Sequence, residues 1–199
     1  MRLRNFLGTF GLPGIISVLS LLAAWLAITL LINETYSLSV LFAVIAFILD
    51  SLDGYVARKT GKVSDLGAQL DNLIDLINYS LYSALIVYLV LIPGPAGIVL
   101  GFFILLAGTL RLVKFSREGF IQNKNTLYYQ GLVVCHVSLA TISLWLISMH
   151  INIAPIVIAM ILVIVSILQL SNIKVRKSGL LPLWYFVALA LAVGGLLWL

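Results

Sequence analysis

Residues 50–75 read DSLDGYVARKTGKVSDLGAQLDNLID and hold five of the chain's seven acidic residues: Asp50, Asp53, Asp65, Asp71 and Asp75. The sequence on both sides is almost continuously apolar. A carboxylate at the centre of a membrane helix costs about 2.5–3.5 kcal/mol. Several together also repel one another, so they mark a functional site and ask for a shared multivalent cation.

The surroundings define that setting. The chain has 199 residues, 62% hydrophobic and only 10% charged, with a mean hydropathy of +1.17. A spanning helix needs ~20 mostly apolar residues, and seven stretches qualify: 12–33, 36–58, 64–92, 95–115, 127–149, 153–172 and 181–199. The net charge of +5 does not point to nucleic acid, because its placement has another cause. All twelve Lys and Arg residues lie before the first stretch, at the trailing ends of the second and fourth, or in the connections after the second, fourth and sixth. The positive-inside rule then puts the N-terminus and the acidic stretch on the cytoplasmic side of a multi-pass membrane protein. A single cysteine, Cys135, excludes a disulfide framework or a CxxC metal site. His136 beside it has no acidic partner nearby and is expected to bond a neighbouring helix. Ser17 and Ser20 are expected to turn back onto their own helix backbone.

Helix geometry sharpens the acidic stretch. At ~100° per residue Asp50 and Asp53 share one face, as do Asp71 and Asp75. The pairs belong to antiparallel helices joined near Thr60, Gly61 and Lys62, and they fall in two layers about 14 and 19 Å from that turn at 1.5 Å per residue. Four converging carboxylates can hold two hard divalent ions, Mg²⁺, Mn²⁺ or Ca²⁺. Gly54 and Ala57 keep the same face open, and Arg58 offers a guanidinium fork to a phosphate. Ser64 sits where a helix N-cap is expected. Asp65 follows as a partner for the helix dipole, and Gly67 and Ala68 permit close helix packing.

Asp50, Asp53, Gly54, Ala57, Arg58, Gly67, Asp71 and Asp75 reproduce the pattern D-x2-D-G-x2-A-R-x8-G-x3-D-x3-D with every spacing met. In this the chain resembles the CDP-alcohol phosphotransferase family. The resemblance implies an all-α membrane fold of six helices around a cytoplasm-facing cavity, here residues 1–173. A basic loop and one further transmembrane helix would follow over 174–199. It implies that Asp50, Asp53, Asp71 and Asp75 bind two divalent metals, that Asp75 is also the general base, and that Gly54, Arg58 and Ser64 contact the CDP part of the donor. Homodimers are common in that family. Its opening helix often carries P-N-x-(L/I)-T, against Pro13, Gly14, Ile15, Ile16 and Ser17 here.

Beyond the motif, Asn78 and Tyr82 fall on the α-helical face of Asp71 and Asp75. Arg111 and Lys114 stand one turn apart near the end of the fourth stretch, with Arg111 expected to point inward. Asn78, Arg111 and Lys114 are the candidate acceptor contacts. Three stretches, GAQLDNLIDLI, GTLRLVKF and LQLSNIKVRK, resemble the serine-transferring branch of the family. Departures at residues 78–84 and 131–133 leave glycerol 3-phosphate or inositol phosphate as second readings for the acceptor. The expected activity is therefore transfer of a phosphatidyl-type group from a CDP-lipid to a small alcohol, serine first, with release of CMP. The rival from another class is a divalent-cation transporter, which needs the carboxylates but neither Gly54 nor Arg58.

Overall fold

The computed structural model describes residues 3–61, 65–123 and 126–176. Six helices account for most of them. α1 is Leu3–Ile32 and α2 is Tyr36–Thr60. α3 is the long rod Leu66–Leu91, and α4 is Pro95–Glu118. α5 is Cys135–Ser148 and α6 is Pro155–Leu170. From Gly11 onward, the first four are long and apolar enough to cross a membrane. α5 and α6 are apolar but shorter, about 21 and 24 Å at 1.5 Å per residue. The predicted stretch 181–199 lies outside the described residues. The chain divides into two compact units, one reaching Asn78 and the other beginning at Tyr79.

In the first unit α1 and α2 form an antiparallel pair. α1 changes direction at Gly11 (φ 55°, ψ −158°), two residues before Pro13. Lipid gives apolar helices no reason to associate, so such pairs rely on small residues and hydrogen bonds. Ala23 and Ala24 of α1 pack on Ala46 of α2, flanked by Phe42, Ile45, Leu49 and Ile77. Hydroxyls join the same interface: Ser39 donates to the Ala27 carbonyl at 2.7 Å and Ser20 to the Ala46 carbonyl at 2.8 Å. Asn78 of α3 donates to Ser20 Oγ at 3.0 Å. Ser20 thus bonds across the interface, not to its own helix as the sequence suggested, because the tight Ala contact brings the α2 carbonyl within reach. α2 ends on Gly61 in the left-handed conformation, whose N–H returns to the Ala57 carbonyl.

α3 is not uniformly α-helical. Asp65–Asp75 is α-helix, Leu76–Leu81 is π-helix, and a second π turn occupies Val87–Leu91. Each π turn inserts a residue and slips the helical phase by about 100°. The expectation that Tyr82 continues the face of Asp71 and Asp75 therefore fails.

The second unit has an apolar core of Val87, Ile92, Leu100, Ile104, Val137, Leu144, Ile158 and Leu162. α4 lies close against the second half of α3. A Cβ at Gly108 would overlap the Ser80 side chain, and one at Gly101 would lie 3.1 Å from the Ala84 carbonyl. α4 runs three residues past its predicted end, to Glu118, and stops at Gly119 (φ 64°).

The fifth predicted stretch, 127–149, requires correction. Its first residues form strand β2 (Thr126–Gln130), between β1 (Ile121–Asn123) and β3 (Lys174–Arg176) in an antiparallel sheet of order β1-β2-β3. Thr126, Tyr128 and Tyr129 suit a pleated, half-buried surface, and Gly131 (φ 73°) breaks the strand before α5 begins. The fold is thus helical with a small sheet, and not wholly α. His136 also departs from expectation: its Nδ1 lies 3.0 Å from the Val133 carbonyl of its own turn.

Candidate metal and donor site

The site is built on α2 and the first part of α3. Asp53 comes one turn after Asp50, and Asp71 arrives from α3. One carboxylate oxygen from each of the three lies within 4.8 Å of the others. Two oxygens on one ion stand at most two bond lengths apart, about 4.2 Å for Mg²⁺ and about 5 Å for Ca²⁺. A triangle bounded by 4.8 Å falls within the span of Ca²⁺ and needs the carboxylates to close by about half an ångström at most for Mg²⁺, and an all-oxygen donor set selects such hard ions. Asp53 is buried at 4% exposure, while Asp50 and Asp71 are half-buried. Asp75 stands one turn beyond Asp71, at the end of the α-helical part of α3, outside the group of three.

Ser17, which the sequence placed outside the acidic site, completes this layer. Ser17 Oγ lies 2.5 Å from Asp53 Oδ2 and 3.1 Å from the Pro13 carbonyl. The hydroxyl has one proton to give, and a carboxylate is the stronger acceptor. Ser17 therefore orients Asp53 and leaves its other oxygen for a ligand. The available signal was the position of Ser17 at the end of the opening helix's motif, where the family carries another hydroxyl.

Arg58 is exposed at the end of α2 and attracts both Asp53 and Asp71, which repel each other. A Cβ added at Gly54 would lie 3.3 Å from Arg58 Nη1. The guanidinium therefore folds back over the bare glycine, beside the carboxylates. Ala57 lies half-buried in the same turn. Ser64 lies outside the described residues.

The three acceptor candidates are all engaged with the protein itself. The Asn78 amide donates to Ser20, as above. Arg111 is buried at 3% exposure, as its inward orientation required. Its Nε donates to the Leu132 carbonyl at 3.1 Å, and its guanidinium carbon lies 4.9 Å from the Phe115 ring centre and 5.7 Å from that of Tyr129. Lys114 donates to Asn172 Oδ1 at 2.7 Å. Arg111 thereby serves the break between β2 and α5, where the Gly131 and Leu132 N–H groups go to the Ile173 and Leu168 carbonyls. Backbone that leaves the helix at membrane depth must find such partners within the protein.

A chain whose described residues include four apolar helices of membrane-spanning length and three clustered carboxylates is, as a class, a multi-pass membrane protein with a candidate metal site. The family model for CDP-alcohol phosphatidyltransferase matches residues 10–198, and the chain belongs to that family. Its members are transferases of phospholipid synthesis with a CDP-alcohol donor and an alcohol acceptor. The chain is 28% identical over 166 residues to the archaetidylserine synthase of Methanothermobacter thermautotrophicus, covering 82% of this chain and 68% of that protein. It is 37% identical over 109 residues to the CDP-diacylglycerol–serine O-phosphatidyltransferase of Methanocaldococcus jannaschii, covering 53% and 50%. It is also 40% identical over 72 residues to the archaetidylinositol phosphate synthase of Aeropyrum pernix, covering 36% and 37%. The chain thus matches only part of each relative's length.

Proposed function

We propose that this protein transfers a phosphatidyl-type group from a CDP-lipid, CDP-diacylglycerol or CDP-archaeol, to the hydroxyl of L-serine and releases CMP. The observation that carries the reading is the triangle of Asp50, Asp53 and Asp71 at the family's motif positions. Serine is favoured because the Methanothermobacter and Methanocaldococcus relatives, among others, bear serine in their names. An acceptor with its own phosphate, inositol phosphate or glycerol 3-phosphate, is the second reading, favoured by the inositol phosphate relative. Family membership leaves the cation-transporter reading without support.

In this reading Asp50, Asp53, Asp71 and Asp75 hold two divalent ions, Mg²⁺ or Mn²⁺, which would neutralise the diphosphate and the departing CMP. Asp75 takes the proton of the acceptor hydroxyl as its oxygen bonds to the lipid-side phosphorus and the bond from that phosphorus to the CMP oxygen breaks. Arg58 places its fork on a donor phosphate, with Gly54 and Ala57 giving the nucleotide room and Ser64 adding a hydroxyl. Arg111, Lys114 and Asn78 are the acceptor contacts, with Arg111 and Lys114 suited to a carboxylate or phosphate. The site faces the cytoplasm with the N-terminus on that side, and the protein acts as a homodimer. The catalytic domain takes in residues 1–173 together with β3, which the sequence had assigned to a basic loop but which pairs with β2, and a last membrane helix follows within 177–199.

The deciding experiment is CMP release by the purified protein with each CDP-lipid and Mn²⁺ or Mg²⁺. L-serine, glycerol 3-phosphate and inositol phosphate are offered separately beside an Asp75→Asn control. Metal-dependent release with serine alone, lost in the control, supports the reading. Release with a phosphorylated acceptor moves the assignment to that branch, and no release with any acceptor removes it.

A further inference from the structure

The three-stranded sheet has two unlike faces. Its register sets Ile121, Tyr128 and Arg176 abreast, with Gln130 beside Lys174. Strand alternation puts these residues on one side and Tyr129 and Val175 on the other. The second side is covered around Tyr129, whose ring centre lies 4.9 Å from that of Phe120 and 5.8 Å from that of Phe115, near Arg111, while Gln122 and Leu127 at its outer end are exposed. The first side leaves Lys174 and Arg176 exposed, with the exposed Ile173 next to them in the chain.

These cations have little acidic company. Residues 119–199 contain no Asp or Glu, so neither the sheet nor the rest of that stretch brings an acidic side chain. An anion for this face has to come from outside that part of the chain. Its position says which one. α4, at 24 residues, is about 36 Å long and outruns ~30 Å of hydrocarbon. β1 follows the end of α4 after two residues, and β3 follows the end of α6 after three, a tether of about 10 Å at most. The sheet is therefore held at the level of the lipid headgroups, where a soluble acidic protein would have to displace lipid to reach it.

We propose that the outer face of this sheet, with Lys174 and Arg176 beside Tyr128, is a docking surface for anionic phospholipid headgroups at the membrane surface. Lys174 and Arg176 meet the lipid phosphates. Near an anionic surface each such cation contributes about fivefold in affinity, so the pair accounts for roughly twenty-five-fold.

The test uses the full chain purified in neutral detergent, with thermal midpoint as the readout during titration with short-chain phosphatidylglycerol. Phosphatidylcholine of the same chain length and inorganic phosphate are titrated in parallel. The midpoint should rise and saturate with phosphatidylglycerol alone. The half-saturating concentration should rise at least tenfold in the double variant Lys174→Gln/Arg176→Gln and be restored in Lys174→Arg/Arg176→Lys. Should the glutamine variant fold poorly, salt supplies the second measurement. Raising NaCl from 50 to 500 mM should weaken half-saturation in the unaltered protein several-fold. An unchanged half-saturation in the double variant, an equal response to phosphatidylcholine, the same response to free phosphate, or indifference to salt would each overturn the proposal.

Discussion

Ser17 on α1 donates to Asp53 on α2, thirty-six residues away in sequence, with Oγ and Oδ2 2.5 Å apart. The bond commits one oxygen of the most buried carboxylate in the cluster and aims the other. Partners of this kind around metal ligands are worth about 10–100-fold in metal affinity. Ser17→Ala should weaken Mn²⁺ binding about tenfold, measured by titration calorimetry, while Ser17→Thr retains it. A fall in thermal midpoint with unchanged Mn²⁺ affinity would make Ser17 a packing residue only.

The carboxylate triangle predicts how stability responds to metal. Three like charges within 4.8 Å oppose folding until a cation joins them, and a ligand at 100 times its Kd adds about 2.7 kcal/mol. The thermal midpoint should rise on adding Mn²⁺ and fall again with chelator. Asp71→Asn should remove most of that response and lower metal-dependent CMP release at least about a thousandfold, ~4 kcal/mol of barrier. A full stabilising response in the variant would place the metal elsewhere.

Gly54 and Arg58 are coupled by space. With 3.3 Å between an added Cβ and Arg58 Nη1, Gly54→Ala must push the guanidinium by a few tenths of an ångström. The expected result is a KM for the CDP-lipid about fivefold higher, ~1 kcal/mol of binding, with kcat less affected. Arg58→Ala should raise it further, and the double variant should be no worse than Arg58→Ala alone. Additive losses would mean that Gly54 acts directly on the donor.

Gly61 and Gly131 separate backbone strain from crowding. Both have positive φ, 65° and 73°. An added Cβ meets nothing within 4 Å at Gly61, but at Gly131 it collides with the Gln169 carbonyl. Gly61→Ala should cost about 1 kcal/mol. Gly131→Ala should cost well over 2 kcal/mol, since strain and clash add. Melting of the two variants side by side checks the order.

Gln169 is fully buried on α6, and among the described residues neither its amide nitrogen nor its amide oxygen has a hydrogen-bond partner; Ser166 Oγ, one turn earlier, is in the same state. Burying such groups unpaired costs about 1–3 kcal/mol each. Gln169→Met, close in shape, should leave the thermal midpoint unchanged or raise it. A marked fall would show that the amide does hold something in the working protein.

Legibility in the sequence followed the contrast between a group and its background. The Asp pattern stood out because hydrocarbon-facing helices leave carboxylates nowhere to hide; α2 and the α-helical start of α3 bring Asp50, Asp53 and Asp71 together, whereas the spacing had put Asp50 in a separate layer with Asp75. Arg111 was readable as an inward residue for the same reason. Ser17 does reach the Pro13 carbonyl of its own helix as expected, but its contact with Asp53 was not readable, nor was the Ser20 bond across the interface, because a hydroxyl can satisfy itself on its own helix and only the Ala23–Ala46 approach makes the cross-helix carbonyl the nearer choice for Ser20. The strand at Thr126–Gln130 was hidden by apolar residues that suit a buried helix equally well. The π turns after Asp75 left no mark in residue type, so helical phase could not be carried from Asp75 to Tyr82.

The shortness of α5 and α6 bears on where such a protein can reside. At about 21 and 24 Å they leave ~9 and ~6 Å of a ~30 Å hydrocarbon layer unmatched. Mismatch costs fractions of a kcal/mol per ångström, so the bilayer beside these two helices should pinch inward and the protein should sort toward thinner membrane. Lipids with shorter chains would then gather at that flank, giving one side of the protein a lipid neighbourhood different from the bulk.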